Sequence, residues 1–193
     1  MRYIPKVLAA LALMSAASVA SAHELKYSLV LNGASEAPQN NSPGTGTGLV
    51  TVDLDLVTMR VQVTFANLTG TTTAAHIHAA TALPNAGTAG VATMLPSFTN
   101  FPNGVTGATY DRTFDMTSAA SYNPAYITAH GGTVSTALND LLASFDANKA
   151  YLNIHTSAFG SGEIRGFLTA VPEPASLGAC LGATLLLVSR KRR

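Results

Sequence analysis

The sequence predicts an all-β protein, an antiparallel Greek-key β-sandwich with one short helix. Three observations favour this fold class. Short runs in which apolar and polar residues alternate recur through the middle of the chain, and this period of two is typical of strands with one buried face. Segments rich in Gly, Thr, Ser, Asn and Pro separate the runs, as turns do. Only one run has the spacing of an amphipathic helix, and many short strands with polar turns indicate a sandwich.

The composition argues against several classes of function. Charged residues are 11% of the 193 residues, and between residues 23 and 170 five Lys and Arg residues stand against nine Asp and Glu residues. Without a basic patch, nucleic-acid binding is not expected. Cys180 is the only cysteine, so residues 23–170 cannot form an intramolecular disulfide. No nucleophile elbow, phosphate-binding loop or close carboxylate pair occurs, and the sequence predicts no enzymatic activity.

The first half of the middle region predicts three strands. Residues 24–32 alternate and form the first strand, and residues 33–48 form a polar loop. The inward positions then run through even numbers to Leu56 and through odd numbers from Met59. This change of parity predicts a β-hairpin that turns near Val57. The apolar residues assigned to buried faces are Leu25, Tyr27, Leu29, Leu31, Val50, Val52, Leu54, Leu56, Met59, Val61, Val63 and Phe65.

The second half predicts further strands and the helix. A strand around Ile77 precedes a Gly-, Ala- and Pro-rich segment, in which residues 91–95 form a short strand. Residues 109–116 alternate again, whereas residues 122–132 have an irregular pattern. Leucines at helical spacing then predict one short amphipathic helix, with Ser135 or Thr136 as its N-cap. Two last strands follow, one from Tyr151 to Thr156 and one from Gly162 to Leu168.

Two of these strands carry three of the five histidines. When Ile77 faces the core, His76 and His78 share the opposite face of their strand. When Ile154 faces the core, His155 lies on the opposite face of the later strand. Three imidazoles are therefore predicted on the outer side of one sheet. By the same parity rule, this side also receives three polar side chains, those of Asn153, Glu163 and Arg165.

The histidine pattern leaves two interpretations open. Imidazoles two residues apart on a strand project the same way, which is typical of metal ligands. With His155 they form a three-histidine site suited to copper or zinc, with Glu163 and Arg165 as outer groups that orient the ligands. In the alternative, the histidines and Asn153 form a structural hydrogen-bond network with Glu163 and Arg165.

The first 22 residues are typical of a secretory signal peptide. Arg2 and Lys6 precede an apolar run at residues 7–14, and the small residues Ala20 and Ala22 fit the rule for the cleavage site. The mature chain is then expected to begin at His23. The export machinery is the partner that this segment predicts.

The last 23 residues have three parts in a fixed order. A Pro-Glu-Pro motif precedes an apolar stretch at residues 175–189, which predicts a C-terminal transmembrane helix, and the basic tail places its end in the cytoplasm. The motif is Pro172, Glu173 and Pro174, and the tail is Arg190, Lys191, Arg192 and Arg193. Residues 171–193 resemble the PEP-CTERM sorting signal of Gram-negative bacteria. This resemblance implies recognition by an exosortase, cleavage near the motif, and delivery from the inner membrane to the cell surface or extracellular matrix.

The region from 23 to 170 resembles the CHRD domain, first described in chordin. Four segments carry the resemblance, in the same order as in the family: residues 32–38, 74–78, 151–156 and 162–166, which read NGASEAP, AAHIH, YLNIHT and GEIRG. The resemblance implies an Ig-like, all-β module that occurs in many exported bacterial proteins. It does not by itself imply an activity.

Two functions of different class follow from these features. The sorting signal favours a non-enzymatic surface or matrix module that binds an extracellular polysaccharide or a surface protein. The histidines favour instead a metal-binding, redox-active protein of the periplasm or cell surface that uses copper or zinc.

Overall fold

Alternating residues form eight strands in residues 23–172, which are the residues that the computed structural model describes. The strands are β1 (Glu24–Asn32), β2 (Thr45–Asp53), β3 (Thr58–Ala66), β4 (Thr72–His78), β5 (Ala108–Asp115), β6 (Tyr151–Thr156), β7 (Ile164–Phe167) and β8 (Thr169–Ala170). The helices are α1 (Pro124–Ala129) and α2 (Val134–Asp146), with short 3-10 turns at Gly33–Ser35 and Ala119–Ser121.

All eight strands belong to one antiparallel sheet. Their order is β4-β6-β7-β1-β2-β3-β5, with β8 beside β1. The end strands β4 and β5 are joined by residues 79–107, and this connection contacts both of them. The Phe98 amide donates to the Ala75 carbonyl of β4 at 3.0 Å, and the Phe98 ring lies 5.5 Å from the Phe114 ring of β5. The sheet therefore curls into a half-barrel that this connection closes.

The inner side of the curl holds the hydrophobic core. Ile77 of β4, Ile154 of β6 and Ile164 of β7 are completely buried there, as strand parity predicts. The same cluster includes side chains from every long strand and from α2, so the sheet has one continuous core. Because the whole sheet and this core lie within residues 23–172, that segment contains what it needs to fold as a unit.

The helices cover part of this core. The Phe145 ring of α2 packs edge-on against the Tyr27 ring of β1, with 5.1 Å between centroids. The predicted helix is present, but its N-cap is Thr133, because the Thr133 hydroxyl accepts from the Thr136 amide in a reciprocal capping box. The prediction of an irregular segment at 122–132 is wrong. Asn123 caps α1 and Pro124 occupies its first turn, where proline loses no hydrogen bond.

The turn between β2 and β3 also differs from the prediction. Strand β2 ends at Asp53, so Leu54 and Leu56 are 41% and 71% exposed instead of buried. The Asp53 carboxylate accepts from the amides of Asp55 and Leu56 at 2.9 Å each, which forms the turn in place of a longer ladder. Likewise β2 begins at Thr45, inside the predicted loop, and residues 91–95 contribute only single bridges.

The predicted all-β, antiparallel fold class is confirmed in this coarser form. The strands form one curled sheet, whereas a sandwich would have two separate sheets, and residues 23–172 contain two α-helices where one was expected. The predicted signal peptide, residues 1–22, and the predicted transmembrane stretch lie outside the described residues. Within residues 23–172, none of the helices combines the length and hydropathy that a membrane span needs.

Candidate metal centre

Strands β4 and β6 are neighbours, and their register determines which side chains meet. His76 lies opposite Asn153, and His155 lies opposite Ala74. Because the Ala74 side chain is small, the His155 ring has space near the His76 ring, and their centroids are 5.2 Å apart. The His78 ring lies 5.9 Å from each of the other two. The structure thus brings together the three histidines that the sequence singles out.

Each ring has one nitrogen held by a backbone carbonyl. His76 Nε2 lies 2.7 Å from the Pro96 oxygen, His78 Nδ1 lies 2.9 Å from the Ala89 oxygen, and His155 Nδ1 lies 3.0 Å from the Gly160 oxygen. A carbonyl oxygen only accepts hydrogen bonds, so each of these nitrogens must carry the proton. The carbonyls therefore select the tautomer of each neutral ring and fix its orientation.

The other nitrogen of each ring carries a lone pair that has no partner. His76 Nδ1, His78 Nε2 and His155 Nε2 are buried and make no hydrogen bond within the described chain. Across the cluster, one ring nitrogen of each histidine lies within 4.8 Å of one from each of the others. Three neutral nitrogen donors, each on a ring whose other nitrogen is hydrogen-bonded to a carbonyl group, have the chemistry of a transition-metal site.

Burial keeps the three imidazoles neutral. His76 and His78 are 6% and 8% exposed. Burial lowers the pKa of His78 to about 4, even though the Ala89 carbonyl acts in the opposite direction, and the other two histidines and Arg165 lower it further. Burial also lowers the pKa of His76 and of His155. The rings are therefore in the form that can bind a metal at neutral pH.

The outer side of β4 and β6 is covered, although strand parity alone suggests an exposed face. Ala89 and Pro96 lie in the connection between β4 and β5, and Gly160 lies in the turn between β6 and β7. These two segments supply the three carbonyl groups and shield the rings from solvent. Nothing in the local pattern of the strands indicates this cover, because the segments are 5 to 20 residues away from the histidines that they contact.

Arg165 lies in the same layer but contacts a different set of groups. It is 3% exposed, and its Nε donates to the Ser35 carbonyl while Nη1 donates to the Gly87 carbonyl at 2.9 Å. Its guanidinium carbon lies 4.6 Å from the centre of the Tyr151 ring. The Tyr151 ring also stacks on the His78 ring, with 4.8 Å between centroids. A fixed positive charge therefore lies next to the cluster without bonding to it.

Asn153 occupies the position between His76 and Arg165 in the sheet. Its Nδ2 donates to the Ser161 carbonyl at 3.4 Å, and its buried Oδ1 has no hydrogen-bond partner among the described residues. Gly162 is required beside it, because its φ of 129° favours glycine and a side chain there would overlap the Asn153 amide.

Glu163 is a structural residue in this arrangement. Its carboxylate is fully buried and accepts four hydrogen bonds. The donors are the hydroxyls of Ser42 and Thr156 and the amides of Thr69 and Gly70. Within the described chain, no hydrogen bond joins any of the three histidines to Asn153, Glu163 or Arg165. The carboxylate therefore joins two loops to the end of β6, and it makes no hydrogen bond to an imidazole.

Two residues of this region were not predicted. Tyr151 links His78 to Arg165, and its position on the same strand face as His155 was the signal for it. Glu36 is 7% exposed and its Oε2 lies 3.8 Å from Arg165 Nε, while its Oε1 is buried without a partner. Glu36 and Arg165 line a cavity of about 380 Å³. The signal for Glu36 was a lone acid in an otherwise uncharged loop.

The remaining predicted site residues belong to the C-terminal motif. Pro172 is the last described residue, whereas Glu173, Pro174 and the basic tail of residues 190–193 lie outside the described part of the chain. The two other histidines are apart from the cluster: His23 pairs with Asp55, and His130 pairs with Asp140.

Comparison with known proteins gives one positive finding. A family model described as the CHRD domain matches residues 27–168, which is 142 of the 193 residues. The match contains most of β1, all of β2 to β7 and all three histidines of the cluster. Searches of curated proteins and of solved structures returned no significant match.

Proposed function

This chain belongs to the CHRD domain family, and from that premise we propose that it is an exported protein that binds one transition-metal ion, copper or zinc, at His76, His78 and His155. The observation that supports the proposal is the set of three buried nitrogen lone pairs without partners. A buried polar atom that lacks a partner costs about 1–3 kcal/mol. A metal ion bound to all three nitrogens would remove that cost at each of them.

The spacing of the rings is compatible with one ion. Imidazole nitrogens bind zinc at about 2.0 Å, so three of them around one ion stand roughly 3.5 Å apart. One ring nitrogen of each histidine lies within 4.8 Å of one from each of the others, so shifts on the order of an ångström bring such nitrogens together.

Metal content and calorimetric titration of residues 23–172 with copper and zinc test the proposal. We expect one ion per chain in the parent protein and none at micromolar metal in His78→Ala. The matched control is His130→Ala, which removes a histidine that is bonded to Asp140 and should leave binding unchanged. Absence of binding in the folded parent at micromolar metal would refute the proposal.

Export and surface sorting form the second part of the proposal. The signal-peptide pattern at residues 1–22 and the Pro-Glu-Pro motif, apolar stretch and basic tail at 171–193 support it. Deletion of residues 172–193 should release the domain in soluble form, whereas the full chain should be retained at the membrane or surface until an exosortase acts. Unchanged surface retention of the truncated chain in cell fractionation would contradict this part.

Binding of a surface polysaccharide is a second candidate function, favoured by the exposed outer face of β2, β3 and β5. Three threonines, Thr47, Thr64 and Thr109, lie in register across these strands and line one shallow groove. A shallow groove lined by hydroxyl groups is suited to binding a hydroxyl-rich polymer. Co-sedimentation of residues 23–172 with insoluble cell-surface polysaccharide, compared with Thr64→Asp, tests it, and equal sedimentation of the two proteins would argue against this face.

A further inference from the structure

The three donors of the cluster are all uncharged. Each is an imidazole whose other nitrogen donates to a backbone carbonyl, and within the described residues no carboxylate joins the three histidines. Glu163, which directly precedes β7, uses its oxygens for four other hydrogen bonds. A bound ion therefore keeps its full charge, because nothing in contact with it offsets that charge.

The charged side chain that packs on the same aromatic ring as His78 is positive. Arg165 and His78 contact the Tyr151 ring at 4.6 and 4.8 Å from its centroid, so the guanidinium is about one ring away. Glu36 lies 3.8 Å from Arg165 Nε and is farther from the cluster than Arg165 along this chain of contacts. Repulsion between Arg165 and a bound ion grows in proportion to the charge of the ion.

Burial makes the free energy of binding depend more steeply on the charge of the ion. The free energy needed to bury an ion rises with the square of its charge, so a divalent ion costs about four times as much as a monovalent ion of similar size. Zinc held by three protein donors takes a fourth ligand such as water, whereas this cluster itself supplies three donors. Copper is the imidazole-binding metal with an accessible monovalent state, and that state accepts three ligands.

We infer that the site selects copper(I) over divalent copper and zinc, because three neutral donors are buried beside a fixed cation. This inference rests on the proposed metal-binding function and adds the oxidation state of the ion. Its consequence is a raised reduction potential of the bound copper. Each tenfold preference for copper(I) over copper(II) raises the potential by about 59 mV relative to free copper.

The test is a set of competition titrations on residues 23–172. Copper(I) is titrated without oxygen against a coloured copper(I) chelator, and copper(II) and zinc are titrated against chelators of known affinity. We expect copper(I) to bind at least a hundredfold more tightly than either divalent ion. Equal or tighter binding of zinc or copper(II) would overturn the inference and leave the metal site standing. Failure of all three ions to bind would overturn the proposed function as well.

The variant Asn153→Asp tests the electrostatic reason. It conserves size and adds a negative charge between His76 and Arg165. We expect the preference for copper(I) to fall at least tenfold, because the new carboxylate stabilises a divalent ion more. The control is Asn139→Asp on the exposed side of α2, which adds the same charge elsewhere. An unchanged preference in a folded Asn153→Asp protein would overturn the inference.

Discussion

At the scale of single residues, two buried carboxyl groups, Glu36 and Glu163, have opposite surroundings. Burial raises the pKa of Glu36 to about 7, and Arg165 and the Ala37 amide only partly oppose this effect. Burial acts to raise the pKa of Glu163 as well, but hydrogen bonds from Ser42, Thr156, Thr69 and Gly70 outweigh it and the pKa is lowered. The fold therefore stabilises the neutral form of one acid and the ionised form of the other.

Glu36→Gln should stabilise the protein above neutral pH. The unfolded chain ionises Glu36 near pH 4.5, whereas the folded chain ionises it near pH 7, so the stability of the parent falls as pH rises between these values. The variant lacks this fall. We expect its free energy of unfolding to exceed that of the parent by on the order of 3 kcal/mol at pH 8, with no such gain at pH 4. Urea unfolding at the two pH values measures the difference, and a gain independent of pH would contradict the cause.

Glu163→Gln should have the opposite effect. The amide nitrogen of glutamine would face donors that now point at a carboxylate oxygen, so at least one buried donor loses its partner. We expect a loss of about 1–3 kcal/mol in the free energy of unfolding at pH 7. Because the pKa of Glu163 is lowered in the folded state, the difference from the parent should shrink as pH falls through the range in which the carboxylate is protonated. A loss of the same size at pH 3 and pH 7 would argue against the ionic part of this account.

At the scale of elements, the turn between β6 and β7 contains two glycines in different environments. Gly162 has a φ of 129° and abuts Asn153, whereas Gly160 has open space where a side chain would be. Gly162→Ala should lower the free energy of unfolding by roughly 1–3 kcal/mol, because it adds backbone strain and displaces Asn153. Gly160→Ala, the matched control, should change it by less than about 0.5 kcal/mol. Thermal unfolding of both variants checks the contrast, and equal effects would refute it.

Strand patterns were predictable because one face of each strand packs on the core. The period of two located β1, β3, β5 and β6 and placed Ile77 and Ile154 inward. The pattern did not locate the end of β2, because Leu54 and Leu56 continue the alternation while the Asp53 side chain forms the turn. Helix α1 has six residues, which is too few for a helical period to show.

The position of the histidine cluster was predictable for a similar reason, whereas the hydrogen bonds of its rings were not. The spacing of His76 and His78 determines that both project from one face, and strand pairing then brings His155 near. The tautomers were not predictable, because they depend on the carbonyls of Ala89, Pro96 and Gly160, which tertiary folding brings to the rings. The hydrogen bonds of Glu163 were not predictable, because Ser42, Thr69 and Gly70 lie in loops that no local pattern relates to it.

At the scale of the whole molecule, the connection from 79 to 107 links closure of the half-barrel to the histidine cluster. Phe98 is 2% exposed and packs between β4 and β5, two residues after the Pro96 carbonyl that holds His76. Phe98→Ala should lower the free energy of unfolding by about 3–5 kcal/mol. It should also weaken metal binding, because the carbonyl loses its fixed position.

The control for Phe98→Ala is Leu95→Ala in the same connection. Leu95 is 54% exposed, so its truncation should leave both stability and metal affinity near the parent values. Chemical denaturation and calorimetric titration measure the two quantities. A Phe98→Ala protein that loses stability but binds metal as tightly as the parent would show that closure of the half-barrel does not affect metal affinity.

The same connection has a consequence for the behaviour of many copies held close together at high local concentration. An uncovered strand edge can template pairing with another chain and start aggregation. The outer edge of β4 is covered by this connection. The amides of Ala92 and Phe98 donate to the carbonyls of Ile77 and Ala75 of β4, and the Gly104 amide donates to the Thr72 carbonyl. Neighbouring copies therefore cannot add a strand along β4, so crowded molecules stay separate at that edge.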